Sequence, residues 1–213
     1  MPATPTRTAR SQAADAITVL LFGAAALVVV AISTVLRTLG TFRDQGIAWS
    51  VPIDEQPISA TADSGAITVD GIAQQVMVFA TDVDSLSTAA IIGSLALWTL
   101  APLIVILGVM LVAWNLLRGR FFVRGNARAF DAIGWTLVLA PMLIVMLENR
   151  GLNGVLDAVG LGPGDPVQPI DFWSIVPVFA TGVAVGLIAN AFRQGIRLQQ
   201  EKNVLEKETE GLV

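Results

Sequence analysis

The 213-residue chain is 54% apolar and 14% charged, with a mean hydropathy of +0.70, which lies outside the usual composition of soluble domains. It has no histidine and no cysteine, so disulfides, thiolate nucleophiles and the commonest zinc, copper and haem ligands are excluded together. The net charge of −4 hides a segregation of sign along the chain.

Residues 1–15 form a polar arm with Arg7 and Arg10 against Asp15. Pro2 and Pro5 lie near its start, and Met1 to Ser11 is expected to lack regular structure. Ala16 to Leu36 is the first of four apolar runs; the others are Thr88 to Leu117, Ala132 to Leu147 and Phe172 to Phe192. A hydrocarbon slab of about 30 Å takes roughly 20 helical residues, and lipid offers no partner to open backbone, so each run is expected to cross a bilayer as a helix. The first run, 16–36, is longer than the roughly 7–15 apolar residues of a signal peptide and no clear cleavage site follows it, so it is expected to be retained.

Residues 37–87 are too many for a simple connection and too rich in β-branched residues for a linker. Ala66 to Val69, then Asp70-Gly71, then Ile72 to Phe79 predicts a two-residue hairpin, because Asp-Gly takes up the positive φ angles of a type I′ turn. Trp49 to Ile53 alternates apolar with polar and supplies a third strand. Asp82, Asp84, Ser85 and Ser87 carry the side-chain oxygens that cap a helix. They do not begin an EF-hand loop, since Ser87 and Gly93 stand where that motif needs glycine and glutamate.

The second span, 88–117, exceeds a vertical crossing and holds Pro102, where a bend is expected. The loop 118–131 carries Arg118, Arg120, Arg124 and Arg128 beside Phe121, Phe122 and Asn126. That pattern suits anionic headgroups or a partner at the membrane surface, and the loop is too short and too close to the membrane for direct binding of nucleic acid. The third span is expected over 132–149 with Pro141 inside it. Residues 150–170 read as Gly/Pro turn material from Gly151, Gly154 and Gly160 onward, with a short helix at Leu152 to Val159 whose Leu152, Val155 and Leu156 face the hairpin or the membrane.

The fourth span, 171–192, includes Pro177 and sets Gly182, Gly186 and Asn190 on one stripe. Small residues four apart let two helices approach closely, either within one bundle or in a homodimer. The tail, 193–213, extends that helix with mixed charge. Glu206, Glu208, Glu210 and Leu212 are its candidate partner contacts, and Leu198, Leu205 and Leu212 repeat every seven residues.

Arginine-rich loops stay in the cytoplasm. The arm and residues 118–131 are basic, whereas Thr38 to Ser87 and Glu148 to Asp171 are acidic, so both termini are expected inside. The fold class is an all-α integral membrane protein with four transmembrane helices and a small extracytoplasmic β-hairpin domain between the first two. Eleven arginines against two lysines in an alanine-rich chain fit a GC-rich bacterial source, hence a multi-pass protein of the bacterial cell membrane. No charged residue lies in the middle of a span, which disfavours ion-coupled transport, and Glu148 is read as a hydrated interfacial carboxylate. No catalytic residue, cofactor or metal ligand is predicted.

Gly119, Phe121 or Phe122, and Asn126 ahead of the third span, with Ala191-Phe192-Arg193-Gln194-Gly195-Ile196-Arg197-Leu198 and the acidic end Glu208 to Val213, are similar to motifs of a known family. The chain resembles the domain-of-unknown-function 2975 family of small four-helix bacterial membrane proteins, with Gln199 to Lys207 as an insertion within the tail motif. The resemblance implies no catalytic residue and no cofactor, and suggests a link to small cytoplasmic helix-turn-helix regulators. The expected function is a non-enzymatic sensing or anchoring protein that holds such a regulator. The alternative is an accessory subunit of a larger membrane transporter or respiratory complex, and a small transporter or intramembrane enzyme ranks below both.

Overall fold

The computed structural model describes residues 7–62, 67–161 and 172–210. In chain order the elements are α1 (Arg7–Thr41), β1 (Phe42–Arg43), β2 (Gly46–Ala62), β3 (Ile67–Ala80), α2 (Ser85–Leu117), α3 (Arg124–Ala158) and α4 (Phe172–Glu210). Each of the four helices contains a stretch long and apolar enough to cross a membrane. They leave large apolar side chains uncovered, among them Phe22 and Val29 of α1, Met142 of α3 and Leu187 of α4, as helices do whose solvent is lipid.

Every helix runs past its apolar run. α1 begins at Arg7 inside the polar arm, and α3 absorbs residues 124–131 and 150–158. Hydropathy marks where a helix meets lipid, whereas helix ends are set by backbone breakers and caps. The expected turn at Gly151 and Gly154 is therefore corrected: both lie inside α3, which ends near Gly160. That glycine has φ +77, and the N–H groups of Gly160 and Leu161 donate to the carbonyls of Asp157 and Leu156 at 3.0 Å each, a left-handed helix stop. At the start of α2 the cap forms as predicted, with the N–H groups of Leu86 and Ser87 both donating to Asp84 Oδ2 at 3.1 Å.

The three strands form one antiparallel sheet in the order β1-β2-β3. Trp49 to Ile53 belongs to β2, the longer arm of the main hairpin, and β1 is the third strand. The Asp70-Gly71 turn is not formed. Both residues lie within β3, opposite Ser59 and Ile58, and Ser59 Oγ donates to Asp70 Oδ1 at 2.7 Å. The β2–β3 connection falls at residues 63–66, outside the described residues. Thirteen pairs between Ile47↔Ala80 and Ala62↔Ile67, in two registers separated by a shift between Pro52 and Gln56, outweigh the local preference of one dipeptide, because each slip would forfeit ladder bonds and side-chain partners together. The glycine that a turn does require is Gly46, with φ +117 at the β1–β2 turn, where an added Cβ would strike the carbonyl of Ala80.

Gly71 thus sits in an ordinary strand position, and the nearest atom to an added Cβ is Ile58 Cγ1 at 3.9 Å. Gly71→Val is expected to leave thermal unfolding in detergent unchanged or raise it slightly, by at most about 1 kcal/mol of strand preference. A Gly in a turn would show a marked loss instead.

The chain divides into two compact units whose boundaries fall inside α1, α2 and α3. The sheet unit comprises Thr34–Ala96 and Ile144–Phe172; the helical unit comprises Met1–Ser33, Leu97–Leu143 and Trp173–Val213. In the sheet unit the base of the hairpin packs on α2 and α3. Val51 meets Leu152 and Leu156, while Ala80, Ile91 and Val155 form an adjoining cluster with Trp49 and Val78 against both. This explains why α3 continues past Arg150: Leu152, Val155 and Leu156 recur at helical spacing and find a sheet to cover them.

Candidate functional site

The arginine segment is a built structure. α2 ends in a Schellman motif, in which the N–H groups of Gly119 and Arg120 donate to the carbonyls of Leu116 and Asn115 at 2.9 Å each. Gly119 takes the left-handed conformation, φ +68, that the motif needs. Asn126, on the first turn of α3, is fully buried. Its Oδ1 accepts from Asn115 Nδ2 at 2.7 Å, and its Nδ2 donates to the carbonyls of Arg120 and Phe121 at 3.2 and 2.9 Å. One side chain therefore fastens the end of α2, the connection and the start of α3.

Around this post Arg118, Arg120, Arg124 and Arg128 are all exposed, as are Phe121 and Phe122. The Arg118 guanidinium lies over the Trp114 ring, 4.7 Å from its centroid. Phe122 also reaches α4, with its ring centroid 5.6 Å from that of Phe192 and its ring beside Gly195, where an added Cβ would meet it at 2.7 Å. Phe130 packs on Phe192 as well, with ring centroids 5.0 Å apart and the rings tilted by 44°.

On α4 Gly182 faces α3, whereas a Cβ added to Gly186 would meet nothing within 4 Å. An added Cβ on Gly134 of α3 would meet the Gly182 carbonyl at 3.1 Å and the Gly186 nitrogen at 3.3 Å. One on Gly182 would meet Val138, the Gly134 carbonyl and Leu137 at about 3 Å. The small-residue pattern thus seats α4 on α3 within one chain. Asn190 does not join that contact; its Oδ1 accepts from Arg193 at 2.6 Å, and Arg193 also pairs with Asp131 of α3 at 2.6 Å.

A charge pair also joins α4 to the start of α3, the arginine coming from α4 and the carboxylate from α3. Along the tail Glu201 pairs with Arg197 at 2.9 Å and Glu206 with Lys202 at 3.4 Å, since side chains four residues apart on a helix are neighbours. The side chains of Glu208 and Glu210 and the whole of Leu212 lie outside the described residues.

In the sheet unit two contacts went unread in the sequence. Arg37 of α1 pairs with Glu148 of α3 at 2.9 Å, so that carboxylate is held by a cation and not by water alone. The signal was an arginine one turn before the end of α1, level in composition with the loop that follows. The second is the approach of the Arg150 guanidinium to Asp84 Oδ2, 3.8 Å away, at the α2 cap. The Ser87 hydroxyl, close to Asp84 but making no well-directed hydrogen bond, acts first on that carboxylate. Next come the N–H groups of Ser87 and Leu86 and the Arg150 guanidinium, and together they hold the carboxyl below its usual range, as a helix N-terminus favours the anion. Among the described residues no three acidic, histidine or cysteine side chains gather as a metal site.

No family model, no curated protein and no solved structure matches this chain.

Proposed function

We propose that the chain is a bacterial cell-membrane protein that crosses the bilayer four times, with both termini and the arginine segment in the cytoplasm and the small β domain, 37–87, outside. It works without catalysis, as a sensor or anchor that holds a small cytoplasmic regulator. The observation that carries this reading is the joining of α4 to the arginine segment through Phe122, Phe192 and the Arg193–Asp131 pair. Beyond that joint α4 continues to Glu210 with Leu198 and Leu205, seven residues apart, exposed on a charged helix, a helical face of the kind that partner helices take. The resemblance to the domain-of-unknown-function 2975 family points to a helix-turn-helix protein as that partner. The subunit reading relied on the glycine stripe of α4, and its Gly182 end is already filled by Gly134, Leu137 and Val138 of α3.

Orientation is tested with single cysteines in this cysteine-free chain, at the exposed positions Asp70 and Arg120. An impermeant reagent should label Asp70→Cys in intact cells and Arg120→Cys only after the membrane is opened. The reverse pattern sinks the proposed orientation. Buried Asn126 is unsuited as a reporter. Function is tested by purification from native membranes with and without residues 205–213. A small DNA-binding protein recovered with the full chain and lost with the truncation supports the reading; a large membrane assembly recovered with both overturns it.

A further inference from the structure

Two helices of the helical unit carry the same order of side chains along an exposed stripe. On α2, Arg118, Trp114, Leu111, Leu107 and Ile104 follow at spacings of four, three, four and three, so they share one face, and all are exposed. On α3, Arg124, Arg128, Trp135, Leu139 and Met142 fall within about 60° of one direction at 100° per residue. They too are exposed, while the buried Asn126, Ala129 and Ile133 occupy the opposite side. Cation, indole, aliphatic is the order in which a bilayer presents headgroup, interface and acyl chain.

The cations at the head of these stripes are uncommitted. Among the described residues Arg118, Arg120, Arg124 and Arg128 form no ion pair, whereas Arg193 and Arg197 are taken by Asp131 and Glu201. Stacking on Trp114 holds Arg118 without using its N–H donors, and a guanidinium offers those donors as a fork suited to phosphate. Asn126 fixes the backbone that carries Arg120, which lowers the ordering cost of binding at that residue.

We propose that this end of the helical unit binds anionic phospholipid, with Arg118 taking the phosphate of a lipid whose chains lie along the Trp114 stripe and Arg124 and Arg128 that of a lipid along the Trp135 stripe. The proposal rests on reading α2 and α3 as membrane spans.

The test is native mass spectrometry of the full chain in mild detergent, titrated with phosphatidylglycerol or with phosphatidylcholine. Wild type should retain phosphatidylglycerol at concentrations where phosphatidylcholine is shed. R118Q/R120Q/R124Q/R128Q should weaken phosphatidylglycerol retention about tenfold or more, and R43Q/R150Q, which removes two cations from the sheet unit, should leave it unchanged. Trp114→Leu keeps every charge of the cluster and should still weaken retention several-fold. Equal retention of the two lipids by wild type overturns the proposal, as does unchanged phosphatidylglycerol retention in the quadruple variant or displacement of the lipid by millimolar inorganic phosphate. A failed titration with the cysteine-labelling pattern intact removes this site and leaves the four-span reading standing.

Discussion

Gly154→Ala should markedly lower the unfolding temperature of the chain in detergent. Gly154 lies on α3 where it meets the first turn of α2, and a Cβ there would land on the Cβ and Oγ of Ser87 and 3.0 Å from Asp84 Oδ1. Ser87 cannot swing aside: it is completely buried and its N–H is tied to Asp84. Ile91 and Val155, each without exposed surface, fill the core beside it, so relief requires moving a helix. Overpacking of this kind costs about 1–3 kcal/mol, and more where backbone must shift. Ser87→Gly in the same chain should recover most of the loss, because it vacates the space the new methyl needs. Gly186→Ala is the matched control, since nothing lies within 4 Å of an added Cβ there. Equal melting of Gly154→Ala and Gly186→Ala would refute the α2–α3 contact.

Asn126→Ala is expected to follow closely. It removes the acceptor of Asn115 and the donor to the carbonyls of Arg120 and Phe121, and leaves a cavity at a position with no exposed surface. Orphaned buried polar groups cost about 1–3 kcal/mol each, and water can reach the exposed side of this connection, so a total of roughly 2–3 kcal/mol is expected. Asn126→Asp separates the two functions of the amide. It keeps the acceptor for Asn115 but sets a carboxylate against two carbonyl oxygens, and should fail as alanine does. The readout is thermal unfolding in detergent together with protease cleavage at Arg120, which should quicken when the connection is released. A stable Asn126→Asp chain would show that the acceptor alone holds the joint.

The four apolar helices were legible because hydropathy is summed locally and lipid leaves the backbone no alternative to hydrogen-bonding itself. The Asp84 cap was legible for the same reason: its partners are two and three residues away. Of the candidate site, the arginines and phenylalanines could be named from their spacing, and Asn126 from the resemblance. Its burial could not. Asparagine between arginines reads as solvated surface until Asn115, eleven residues earlier, is brought alongside by the turn at Gly119.

Glycine shows where sequence stops deciding. Gly151, Gly154 and Gly160 look alike in a turn-rich stretch, yet only Gly160 stops the helix; the other two are chosen for volume, against Ile91 and Ser87 of another helix. A missing Cβ serves conformation or packing, and which of the two depends on neighbours distant in sequence. Asp70-Gly71 has the chemistry of a hairpin turn, and the register with β2 carries it into a strand. The stripe of Gly182 and Gly186 announced a close helix contact, and only the tertiary structure supplied Gly134 as its partner. Charge behaved likewise, with Arg37 finding Glu148 and Arg193 finding Asp131 across large sequence separations. The sequence by itself determined the four apolar helices, the cap and the segregation of charge, each a local property. Chain packing decided which small residues are contacts, which carboxylates are paired and where the sheet turns, because those depend on what space and what partner the rest of the chain leaves at each residue.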